Sequence, residues 1–90
     1  MAFLPVPASQ YFSDFSFDLV EYTIIRGNES LGTAKGLTNT DGSGQYVSFL
    51  IGIDLRVGDV LQNGSTRLEV TRLSLDSYNG EDQMVNAYYR

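Results

Sequence analysis

Hydrophobic positions along the chain fall in short alternating runs cut by glycine, and no stretch of ten residues carries a helical period. Phe15, Phe17 and Leu19 share one parity and Val20, Tyr22 and Ile24 the other. Phe15 to Arg26 therefore reads as a strand whose inward face switches at Leu19-Val20, where a bulge or tight bend is expected. Arg26-Gly27-Asn28-Glu29 reads as a turn. Leu31 to Leu37, interrupted by Gly32 and Gly36, reads as an edge strand or a loop lying over the rest. Thr38 to Gln45 (TNTDGSGQ) reads as a mobile loop, because Asn, Asp and Gly favour left-handed backbone and side-chain-bonded turns. Tyr46 to Ile53 is the most hydrophobic strand, with Val47, Phe49, Ile51 and Ile53 facing inward and Tyr46, Ser48 and Leu50 on the other side.

In the second half, Gly58-Asp59 marks a tight turn that starts a strand at Val60. Asn63-Gly64 has the type I′ signature with alternating residues on both sides, so Val60-Leu61 and Thr66 to Leu75 are expected to form a hairpin. Leu68 and Val70 are in phase while Leu73 and Leu75 are shifted by one, which predicts a second bulge near Thr71-Arg72. Tyr78-Asn79-Gly80 closes another turn before a last strand, Gln83 to Tyr89. Five or six short strands make an all-β fold, a small antiparallel β-barrel or sandwich. Helix is limited to a single turn at Ser9 to Asp14. The expected core is Leu19, Val47, Phe49, Ile51, Leu61, Leu68 and Val70.

Composition narrows the chemistry more than the fold. Ninety residues make one domain, read as an extended N-terminal arm over 1–12 and a barrel-like domain over 13–90. With no Cys and no His, there is no disulfide scaffold, thiol nucleophile or zinc-finger ligand set, nor the commonest general base. The carboxylate pairs Asp14/Asp18 and Glu81/Asp82 read as solvated neighbours, and Lys35, the only lysine, sits among small residues. Asn39 to Leu50 imitates a calcium loop but has Leu50 where a bidentate Glu is required. No enzyme activity, cofactor or metal is expected. A net charge of −5 argues against a specific nucleic-acid partner. The apolar run Tyr46 to Ile53 is too short to span a bilayer, so no membrane partner is expected. The N-terminus has no basic residue before its apolar part, which predicts a cytoplasmic protein when made.

The N-terminal segment is the candidate site. Phe3, Leu4, Val6, Tyr11 and Phe12 are apolar, and Pro5 and Pro7 favour extended backbone. Two readings stand: an arm folded onto its own barrel, or an arm that docks on a neighbouring subunit, for which a preorganised extended segment is suited. Tyr88-Tyr89 divides similarly between core and contact, since adjacent strand residues point to opposite faces.

Several features between Leu31 and Tyr89 resemble small tailed-phage neck proteins of the head-closure or head–tail connector kind. They are Thr33-Ala34-Lys35-Gly36, Asp41-Gly42 leading to Ser48-Phe49, and the run Ile53-Asp54-Leu55-Arg56-Val57-Gly58-Asp59-Val60-Leu61. Asn63-Gly64, the Leu68 to Leu73 strand and Tyr78-Asn79-Gly80-Glu81 before a final aromatic strand complete the set. The resemblance implies a structural virion component that docks on other virion or neck subunits, assembles as a homo-oligomeric ring and joins or closes the channel between head and tail. It also implies that the protein passes from the bacterial cytoplasm into the virion. An SH3-like or OB-like protein-interaction module of a bacterial protein is the alternative.

Overall fold

The computed structural model describes residues 2–90. Its elements are β1 (Ala2–Phe3), a helix α1 (Ala8–Asp14), a 3-10 turn (Ser16–Asp18), β2 (Val20–Arg26), β3 (Glu29–Asp41), β4 (Gly44–Leu50), β5 (Val60–Asn63), β6 (Thr66–Tyr78) and β7 (Glu81–Tyr89). Strands β2 to β7 close into a six-stranded antiparallel barrel in the order β2-β3-β4-β7-β6-β5, with β5 returning to β2. The barrel is two meanders, β2-β3-β4 and β5-β6-β7, whose outer strands pair each with its counterpart, β2 with β5 and β4 with β7. Closure removes the free edges that a small open sheet would expose.

Two 13-residue strands make that closure possible. The first part of β3 pairs with β2 and its last part, Leu37 to Asp41, with β4. Likewise β6 serves β5 through Thr66 to Glu69 and β7 from Val70 onward. The register shift between Val70 and Arg72 is the bulge that the phase change near Thr71-Arg72 predicts, and it bends β6 from one partner to the next. Inside lie Tyr22, Ile24, Val47, Phe49, Leu55, Leu61, Val70, Val85 and Ala87, with Leu68 half-buried against them.

Several expectations are corrected. Phe15 to Leu19 is not strand: Phe15 and Phe17 sit after α1 and in the 3-10 turn, 49% and 101% exposed, and β2 begins only at Val20. The segment Leu31 to Leu37 is neither an edge nor a loop but the middle of β3, paired from Glu29 to Gly36 with β2. Thr38 to Gln45 is a hairpin, paired up to Asp41↔Gly44 around Gly42-Ser43, and not a mobile loop. Ile51 lies beyond the end of β4 and is 49% exposed, so it leaves the core list. Leu19 is half-buried in a second cluster outside the barrel.

The turn between β5 and β6 has Gly64-Ser65 at its centre with Asn63 paired to Thr66, and Gly64 at φ +58. The two left-handed residues that a type I′ turn needs are instead Asn79-Gly80, at φ 52 and 80, between paired Tyr78 and Glu81. Gly36 reflects a different constraint: a Cβ there would stand 2.5 Å from Val47 Cγ1, 2.9 Å from Phe49 Cε1 and 3.1 Å from the Ser48 carbonyl oxygen. Gly36→Ala is therefore expected to cost about 1–3 kcal/mol through overpacking. Chemical denaturation checks it, and an unchanged midpoint would refute this register of β3 on β4.

The N-terminal segment folds back on the barrel. Strand β1 runs parallel to β6 at Asp76 and Ser77, where β5 has already ended, and the Leu4 N–H donates to the Ser77 carbonyl at 2.7 Å. Pro7 then fixes its own φ at −57°, and its carbonyl accepts from Gln10 N–H at 3.0 Å to start α1. Ala8 and Phe12, four residues apart on one face of α1, bury against Met84 of β7. The chain is thus helical from Ala8 to Asp14, longer than the single turn expected, and is not extended through residue 12. No described helix is long and apolar enough to cross a membrane.

Candidate functional site

The docking of β1 and α1 on the outer face of the barrel leaves a groove of about 670 Å³ between them and the sheet. Leu4, Tyr11, Phe15 and Asp18 line it from the N-terminal segment. Leu37, Thr38 and Asn39 of β3, Tyr46 and Ser48 of β4, Asp76 of β6 and Met84 of β7 line it from the sheet. Alternation along β4 explains the division: Val47 and Phe49 point into the barrel, so Tyr46 and Ser48 point out to the groove.

The floor is a polar network closed upon itself. Ser48 Oγ donates to Asn86 Oδ1 at 2.6 Å, and both residues are buried. Asn86 Nδ2 donates in turn to Asp76 Oδ2 at 2.9 Å and to Ser74 Oγ at 3.4 Å. These residues meet because β4, β7 and β6 are adjacent and Ser48↔Asn86↔Ser74 are cross-strand partners. The hydroxyl proton of Ser48 rests on an amide oxygen, which cannot take it up, so this serine is arranged to hold the floor and not to attack a substrate. Asp76 Oδ1 has no hydrogen-bond partner among the described residues.

The Tyr46 wall is braced from behind. Its ring lies 4.8 Å from that of Tyr88, inclined at 36°. Tyr88 is pinned on both sides, by the Arg72 guanidinium 3.8 Å over its ring and by its own hydroxyl, which donates to Asp41 Oδ2 at 2.7 Å. That bond pushes Tyr88 above and Asp41 below their ordinary values, and the Ser43 N–H on Asp41 Oδ1 lowers Asp41 further. Tyr46 is raised first by burial, then by the charges of Asp41 and Asp76. The ring stays neutral at physiological pH and offers the groove a fixed π face.

A second polar cluster lies elsewhere. Asp59, 2% exposed, accepts Arg26 Nε on Oδ1 and Nη2 on Oδ2, both at 2.9 Å, and the Arg56 N–H on Oδ2 at 2.9 Å. The Arg26 fork also reaches Asp54 at 3.3 Å. All polar atoms of Asp59 are engaged, and the cluster locks the loop between β4 and β5 onto β2.

The five residues expected to form a docking arm divide among four environments. Phe12 is buried under α1, Leu4 and Tyr11 form one side of the groove, and Val6 is half-buried between them in sequence. Phe3 alone stands free at 82% exposure. Alternation placed Tyr46 on the outward face of β4, whereas it gave no sign of Asp18, of Asp76 or of the exposure of Phe15 and Phe17. Asp76 was findable only from the β6 register, whereas Phe15-Ser16-Phe17-Asp18 imitates a strand and carries no sign of its exposure. Comparison with known proteins finds no family model, no curated protein and no solved structure that matches this chain.

Proposed function

We propose that this chain is a non-enzymatic docking barrel that assembles with neighbouring protein subunits. In its narrower form it is a head-closure or head–tail joining component of a phage or prophage particle. The observation that carries the docking reading is Phe17, which is 101% exposed on the segment that straps the barrel, with Phe15 beside it at 49% and Phe3 of β1 at 82%. Holding three phenylalanines in water is unfavourable for the free chain, and aromatic side chains are the ones that dominate protein interfaces when covered. The strap itself is anchored by Ala8 and Phe12, so its exposed rings sit on a positioned element. The neck-protein form rests on the turn-and-strand resemblance given above.

Phe17→Ser tests the reading. In the isolated chain it is expected to change stability by no more than about 0.5 kcal/mol, as for other exposed positions. In cells assembling whole particles, incorporation of the variant is expected to fall about tenfold or more, the size of an interface hot spot. Undiminished incorporation, together with unchanged sedimentation of the purified chain across concentration, would sink the proposal.

A further inference from the structure

We propose that the groove between α1 and the sheet receives an arginine side chain of the neighbouring subunit, an inference that rests on the docking reading and names the chemistry of the partner. Two carboxylates line the groove, Asp18 from the strap and Asp76 from β6, and none of the ion pairs among the described residues involves either. Asp76 keeps Oδ1 open after its other oxygen accepts from Asn86. Three aromatic rings, Tyr11, Phe15 and Tyr46, line the same space, and no Lys or Arg lines it. A chain carrying net charge −5 adds a favourable background potential.

A guanidinium fits this set on three counts. It is planar and stacks on aromatic faces, it donates in a fork to carboxylate oxygens, and its aliphatic stem covers apolar wall such as Leu4, Leu37 and Met84. A lysine ammonium supplies the charge without the plane or the fork. A cavity of about 670 Å³ holds a whole arginine side chain with backbone on either side. The Asn86 network is already satisfied within the floor, so an incoming side chain displaces no hydrogen bond there.

The test is a titration of the full chain with N-acetyl-arginine methylamide, followed by the amide and ring resonances of the groove residues. The expected result is a saturable shift confined to the groove. The citrulline derivative, equal in shape but uncharged, binds about fivefold or more weaker, and the lysine derivative also binds more weakly. Asp18→Asn, at an exposed side chain, weakens the arginine derivative about threefold and leaves the melting temperature unchanged. Equal binding of citrulline or lysine, or no effect of Asp18→Asn, overturns the inference. The two proposals fail separately. Lost incorporation of Phe17→Ser with no response to arginine removes the groove inference alone. Normal incorporation of Phe17→Ser together with unchanged sedimentation removes the docking reading, and a saturable arginine response then leaves an arginine-binding groove with no neighbouring subunit to fill it.

Discussion

Phe49→Ala is expected to remove about 3–5 kcal/mol of stability, the range for emptying a buried phenylalanine site. Phe49 is 1% exposed at the centre of β4, meets Tyr22 edge-on at 6.2 Å and 74°, and fills the space that Gly36 leaves open. A closed barrel collapses poorly around a lost ring, because each wall strand is held on both sides by its ladder. The transfer loss and the cavity cost therefore both remain. Such a loss is a large share of the 5–15 kcal/mol available to a typical domain. Urea denaturation measures it, with a shifted midpoint and an unchanged slope as the expected pattern. Phe49→Leu, close in volume, is expected to cost under about 1.5 kcal/mol. A loss below 1 kcal/mol for the alanine variant would mean that Phe49 does not fill the barrel interior.

The all-β barrel was legible because its walls obey period two. Val47 and Phe49 in β4, Leu61 in β5 and Val70 in β6 were all placed correctly from alternation. The bulge at Val70/Arg72 was legible as a phase change. Local composition misled where tertiary pairing overrode it. Residues 38–41 look like loop but are held in β3 by their partners on β4, from Thr38↔Val47 to Asp41↔Gly44. Gly36 looks like punctuation but is the one residue small enough to pass Val47 and Phe49. Phe15 and Phe17 obey the strand period without being strand, because Pro7 and the burial of Ala8 and Phe12 commit the preceding residues to helix.

Less of the groove could be read in advance. Its walls come from the N-terminal strap and from four strands that only barrel closure brings together, so neither Asp18 nor Asp76 has a local signal. The apolar arm was visible as a segment needing a surface to cover. Leu4 and Phe12 found theirs on this barrel, whereas Phe3 did not, and Phe17, beyond the arm and read as strand, is exposed as well.

Arg26→Gln is expected to be comparably damaging, and its effect should depend on pH with a defined sign. Asp59 is buried in the turn before β5, where its own carbonyl accepts from Val70 N–H at 2.8 Å and its N–H donates to the Arg56 carbonyl at 3.1 Å. The Arg26 fork, followed by the Arg56 N–H, holds its carboxyl below the ordinary carboxylate value against the opposing effect of burial. A carboxyl lowered on folding contributes stability that is present above its unfolded value, near 3.8, and is lost as pH falls through the folded one. Removing the guanidinium takes away the largest influence that lowers the carboxyl and leaves burial opposed only by Arg56, so the folded carboxyl rises and its contribution to stability at neutral pH is reduced. A buried carboxylate stripped of its partner costs roughly 3–5 kcal/mol. The deficit of Arg26→Gln relative to the natural chain should therefore be greatest at neutral pH and shrink as pH falls to about 3, where the natural chain begins to lose its own Asp59 contribution. Arg26→Lys, which restores charge but not the two-pronged contact, should fall between them. Denaturation of all three proteins at both pH values decides the matter. An equal deficit at neutral and acid pH would show that the Arg26 stem, and not its charge on Asp59, is what the barrel requires.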